Sequence, residues 1–208
     1  AFRGSFDGAG KTITGLTITG SAPSEDSAMG LFGVVDGGTV KNLTLTGVNI
    51  DVENGECVGA AVGLMVNGAS VSGVTVGAQG GTDRVSAVRG LGGVVGRMTV
   101  RGTIENCVNY AQIEGTSATS GNVGGIVGAA YYTAESGEMS ITGCSNYGPV
   151  SNLCMGVGGI AGLSAANVAD CANSGAISGN GTSIGGIVGE QQNAGSITGC
   201  ENTAHITN

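Results

Sequence analysis

A glycine-framed phrase recurs along the whole chain: MGLFG at 29–33, GAAVG at 59–63, GGVVG at 92–96, GGIVG at 124–128, GGIAG at 158–162 and GGIVG at 185–189. Its closing glycines, Gly33, Gly63, Gly96, Gly128, Gly162 and Gly189, return roughly every 30 residues. The period is loose, with insertions absorbed between fixed points. That is the signature of a solenoid, in which each repeat buries its apolar side only against its neighbours.

A second frame alternates with the first. It reads ITGL (13–16), VKNL (40–43), VSGV (71–74), IENC (104–107), ITGC (141–144), VADC (168–171) and ITGC (197–200). The third position is Gly15, Asn42, Gly73, Asn106, Gly143, Asp170 and Gly199. Only Gly, Asn and Asp occur there, the residues that tolerate positive φ. The first position is always Ile or Val, which suits strands. No stretch has helical spacing or a helix cap. Parallel strands need a long return path before they pair, and a coil of about 30 residues supplies one. The chain is therefore expected to be all-β: a single-stranded parallel β-helix, or β-solenoid, of about seven coils. Stacked at about 4.8 Å per rung, these would form one rod-like domain over residues 1–208, roughly 35 Å long. Phe2, Phe6 and Phe32 all fall in the first coils, where a bulky plug would close the apolar end.

Composition narrows the function. Glycine is the commonest residue, with 43 in 208, and tryptophan is absent. Mean hydropathy is nevertheless positive, unlike that of a disordered chain. Seven basic against fifteen acidic residues give a net charge of −8, so no basic stripe is available for nucleic acid. Apolar runs such as 123–130 are too short and too broken by glycine to span a bilayer, so no membrane insertion is expected. The abrupt start and finish suggest a piece of a longer protein, with signal and anchor lying elsewhere.

The GLFG and GGIVG segments, each followed by a C-x-N phrase, resemble the GLUG-motif repeats of bacterial cell-surface proteins. The opening FRGSFDGAGKTITGLTI (2–18) is similar to the phrase that often precedes such repeats. The coil with GAAVG and VTVGA is a degenerate member. The resemblance implies a secreted or cell-surface location and an adhesin-like setting, such repeats being found also in bacterial immunoglobulin A peptidases. It implies no catalytic residues.

The phrases CVNYAQI, CSNYGPV, CANSGAI and CENTAHI begin at Cys107, Cys144, Cys171 and Cys200. Zinc ligands cluster at short spacings, whereas these cysteines lie about one coil apart. They are expected to form an inward column continuing Leu16, Leu43 and Val74, with thiols acting as small hydrophobes. Two residues on, Asn109, Asn146, Asn173 and Asn202 share that face and continue Ile18, Leu45 and Val76. Stacked amides can satisfy one another from rung to rung. Cys57 and Cys154 fall outside the column and several coils apart, so no disulfide framework and no metal site is expected.

Other chemistry is thin. In DGAGKT (7–12) the glycine that a P-loop needs is replaced by Ser5, and a strand follows rather than a helix. Threonine pairs at 12/14, 17/19 and 44/46 do not continue into later coils. The acidic residues Asp36, Glu105 and Asp170 fall in different columns, so no carboxylate pair is set up for glycoside hydrolysis. The only histidine is His205. No calcium loop occurs, and no cofactor is expected. The remaining candidates are the tyrosines. Tyr110 and Tyr147 occupy matched positions of adjacent coils and alternate with inward asparagines, so they should stack outside. Tyr131 and Tyr132 fall in the long insertion after Gly128, over 131–138, which adds Glu135 and Glu138. Aromatic faces with hydroxyls suit a glycan or protein surface as partner. The expected role is a noncatalytic adhesin-like binding or spacer module. The alternatives are an accessory domain of a secreted peptidase or glycan-active enzyme, and a degenerate polysaccharide-processing β-helix.

Overall fold

The computed structural model describes residues 1–24, 27–117, 121–132, 137–153, 155–192 and 195–208. Cys154 and Glu135 lie outside them. The described residues form a right-through stack of parallel strands, and every strand pairing is to the coil above or below. Each coil runs through four sheets in turn. In the second coil these segments are Thr39–Thr46, Asn49–Glu53, Cys57–Gly59 and Val62–Val66. The third and fourth sheets each hold six strands, while the first two gain a further rung from Ile197–Thr198, Glu201–Asn202 and Ile206–Thr207. The molecule thus has six complete coils and half of another, where about seven were expected.

β-branched residues build the core because alternation sends every second side chain inward. In the first sheet, Val40, Val71, Ile104, Ile141, Val168 and Ile197 stack in register. Ile18, Ile50, Val85, Ile113, Val150, Ile177 and Ile206 do the same in the second. Those of the middle coils are fully buried, each contributing about 1.5–3 kcal/mol of transfer free energy. Phe32 packs against Phe2 and Phe6, with ring centroids 5.0 and 5.2 Å apart, at the end where the first coil has no neighbour. At the other end Ile197 and Ile206 are exposed.

The first-sheet turns take the left-handed conformation. Asn42, Gly73, Asn106, Gly143, Asp170 and Gly199 all have φ between +52° and +65°, and from the fourth coil on this residue splits the strand in two.

The first coil corrects the sequence frame. Ile13 pairs with Leu45, not Val40, whose partner is Phe6. Lys11 stands opposite Leu43, where Leu16 was expected, and Ile18 belongs to the second sheet opposite Ile50. The cause is a bulge: register shifts between Asp7 and Lys11, so that Gly8, Ala9 and Gly10 occupy the place of Asn42 alone. Gly15 has positive φ but lies at the next corner, against Gly47. The glycines of DGAGKT thus serve a strand bulge.

Candidate functional site

The inward columns come first because they position everything outside them. Cys107, Cys144 and Cys171 are buried and Cys200 partly so. All four are free thiols, each directed at the carbonyl two residues back: Glu105 at 3.3 Å, Thr142 at 3.5 Å, Ala169 at 3.2 Å and Thr198 at 3.3 Å. Contact with the Cys107 thiol raises the pKa of Cys144, and contact with Cys144 together with burial raises that of Cys171. Burial pushes the Cys200 thiol up as well. Cys107 goes the other way, its pKa lowered by the hydrogen bond with the Cys144 thiol. The thiolate, the reactive form, is therefore suppressed at Cys144, Cys171 and Cys200. Among the described residues no group of His, Cys, Asp and Glu could hold a metal ion.

The asparagines form a continuous amide ladder. Asn109 Nδ2 donates to Asn146 Oδ1 at 2.8 Å, Asn146 to Asn173 at 2.8 Å, and Asn173 to Asn202 at 2.7 Å. The second proton of each amide goes to its own chain two residues on, to Ala111, Gly148, Gly175 and Ala204. Both side-chain protons of Asn109, Asn146 and Asn173 are thereby used in a dry interior, while Asn202 ends the ladder at the exposed rung.

The structure joins this ladder to the glycine phrase, a link the sequence reading missed. A Cβ on the second glycine of each phrase would strike the ladder: Gly93 lies against Asn109, Gly125 against Asn146, Gly159 against Asn173 and Gly186 against Asn202. The hypothetical Cβ to Cγ distances are 2.6, 2.3, 2.3 and 2.5 Å. In the earlier coils strand register brings Leu31 and Ala60 to this position, with Leu45 and Val76 in the ladder column. The sequence carried part of this signal: Ala60 gives way to Gly93 where Val76 gives way to Asn109. In MGLFG, however, the second residue is Gly30, and only the register shows Leu31 to be the counterpart.

Outside, the four tyrosines separate. Tyr110 and Tyr147 stack at the corner between the first and second sheets, centroids 5.0 Å apart and planes 12° from parallel. They follow directly on paired Asn109 and Asn146, so the ladder sets their spacing. Tyr147 is half exposed. The column continues as Ser174 and Thr203, whose hydroxyls lie 2.9 Å apart. Tyr131 does not belong to the insertion; it ends the strand Val127–Tyr131 of the fourth sheet. Its hydroxyl accepts from Asn122 Nδ2 at 3.0 Å, and the Arg97 guanidinium lies 5.0 Å from its ring centre. Tyr132, exposed, borders a shallow groove with Glu138, Met139, Ala165 and Asn167 at the corner leading back to the first sheet.

Asp51 and Glu114 share a second-sheet column on either side of Ser86, and Arg84 pairs with both. The three carboxylates weighed from the sequence are scattered. Asp36 is held by Arg3 and Asn67, Asp170 sits at a left-handed turn, and Glu105 pairs across to Thr142. No two of them share a column.

Known proteins can now be compared with this geometry. The family model described as the GLUG motif matches residues 180–207. That span contains both Gly186 and Asn202, one complete glycine–asparagine unit. Residues 180–207 carry a GLUG motif. A stretch of 99 residues is 38% identical to halomucin of Haloquadratum walsbyi; it is 47% of this chain, and the chain spans about 1% of that protein's length. In fold, the chain resembles a candidate immunoglobulin A1 protease from Bacteroides ovatus. That likeness has a TM-score of 0.52 at 20% identity, over 98% of this chain and 68% of the other. The glycine phrases of the three preceding coils repeat the glycine, cysteine and asparagine placements of residues 180–207.

Proposed function

We propose that this GLUG solenoid is a noncatalytic module displayed outside the cell, serving as a rigid spacer whose side wall makes adhesive contacts. The stacked pair Tyr110–Tyr147 carries the reading. Two near-parallel rings at a corner, with their outer faces and hydroxyls available, offer the flat amphipathic surface that sugars and protein side chains pack on. The wall behind them is fixed by hydrogen bonds through Asn109 and Asn146, so the platform is pre-organised and binding costs little ordering entropy. The burial of the ladder thiols and the separate columns of Asp36, Glu105 and Asp170 support a role without covalent chemistry. The GLUG repeats and the acidic surface support an exported setting.

Likeness in fold to the Bacteroides ovatus chain favours a second reading, an accessory domain of a secreted peptidase or glycan-active enzyme. Both readings are tested on a glycan and mucin array, comparing the chain with its Tyr110→Ala/Tyr147→Ala variant. Binding that the double variant loses supports the tyrosine platform. Equal binding by both, or none by either, removes it.

A further inference from the structure

A second site lies on another wall, where the end of the fourth sheet meets the start of the third. Glu56, Arg89, Arg97, Asn122, Tyr131 and Met155, drawn from four successive coils, line a cleft of about 180 Å³. Four of the seven basic residues in this acidic chain, Arg84, Arg89, Arg97 and Arg101, fall between positions 84 and 101, and two of them converge here.

Charge in the cleft is unbalanced. Arg89 pairs with Glu56 through Nη1, while Arg97 reaches the same carboxylate only at 3.9 Å. Among the described residues two guanidiniums thus share one carboxylate, leaving one positive charge in excess. Nε of Arg89 and of Arg97 are both buried and meet no acceptor among the described residues, so these leave neither fork fully satisfied. Tyr131 takes the face of the Arg97 guanidinium, which leaves its in-plane N–H edge as the direction for an anion. Asn122, buried and donating to the Tyr131 hydroxyl, fixes that ring and with it the guanidinium. Partial burial weakens solvent screening, so the excess charge is felt across the cleft.

We propose that this cleft binds a small organic carboxylate, held in the plane of the Arg97 guanidinium with Arg89 and Glu56 as its flank. A single excess charge matches a monoanion better than a dianionic phosphate. The volume admits one acidic sugar residue or a short-chain acid. The site is independent of the tyrosine platform.

The test is an NMR titration of the intact chain, following the arginine Nε–Hε signals and the Tyr131 ring. Sodium glucuronate and sodium acetate are the probes; glucose, inorganic phosphate and sodium chloride at matched ionic strength are the controls. Saturable shifts at Arg97 and Tyr131 with glucuronate support an acidic-sugar site, and shifts with acetate alone support a site for a simpler carboxylate. Arg97→Lys, which keeps the charge and loses the fork, should weaken binding about tenfold. Should that variant fail to fold, Arg89→Lys, on the more exposed guanidinium, serves for the same comparison. Shifts reproduced by sodium chloride, stronger binding of phosphate, no saturable shift with either carboxylate, or undiminished affinity in the folded lysine variant would overturn the proposal.

Discussion

Gly125 and Asn146 meet so closely that only hydrogen fits between them: a Cβ on Gly125 would lie 2.3 Å from Asn146 Cγ and 2.5 Å from its Oδ1. The glycine belongs to the GGIVG phrase, in the turn between the third- and fourth-sheet strands of the fourth coil, and the asparagine to the C-x-N phrase, in the first sheet of the fifth. Their contact is what makes the two phrases one unit. It lets the wall close against a column of amides, which a larger residue would hold apart.

The left-handed turns give a backbone prediction. Asn106 sits at φ +52°, so Asn106→Val should cost about 1–3 kcal/mol of stability. Asn106→Gly should stay within about 1 kcal/mol. Denaturant unfolding monitored by circular dichroism distinguishes them, and equal losses would mean that the turn does not need positive φ.

Thiol chemistry should follow burial. Cys107, Cys144 and Cys171 are closed to solvent, and the last two also carry raised pKa values. At pH 8 in native buffer all three should resist iodoacetamide, with Cys200 labelled slowly and first. Denaturation should expose all four to rapid labelling. Peptide mass mapping reads the order, and fast native labelling of Cys144 would contradict the inward column.

Acid should loosen the first coil before the rest. The backbone N–H of Ala9 and the Asn42 amide hold the Asp7 carboxyl below its ordinary value, and Asn67 with Arg3 does so for Asp36. A folded pKa below the unfolded one stabilises above the unfolded value of 3.8, and that contribution is lost as pH falls through the folded pKa. Both groups are on the surface, so the effect is local. Hydrogen exchange at pH 5 and below pH 3 should show protection falling at Thr12 and Ile13 while Ile141 remains protected.

Much of this fold was legible in the sequence because a solenoid repeats its own evidence. The inward column of Leu43, Val74 and Cys107 was readable from the repeat, and the residue types at Asn42, Gly73 and Asn106 announced positive φ. The first coil was misframed because ITGL at 13–16 imitates the later phrase, while the true turn was hidden in the bulge at Gly8–Gly10. Tyr131 looked like part of an insertion since nothing local marks where the strand ends. The Arg97 cleft was invisible for a different reason: its residues come from four coils and share a corner, not a column. The glycine–asparagine contact was readable in principle from the joint change at Ala60/Val76 and Gly93/Asn109.

The most direct test of that contact is a double-mutant cycle at Gly125 and Asn146, measured by denaturant unfolding. Gly125→Ala alone should cost about 3 kcal/mol through overpacking, and Asn146→Ala alone about 2–3 kcal/mol through the broken ladder. The methyl group also meets the Gly159 carbonyl oxygen at 2.2 Å, a clash that remains in the double variant. Only the part owed to the amide is relieved there, so the combined loss should fall short of the sum by about 1 kcal/mol. Strict additivity would show that the glycine answers to the neighbouring backbone alone and that the two phrases are independent.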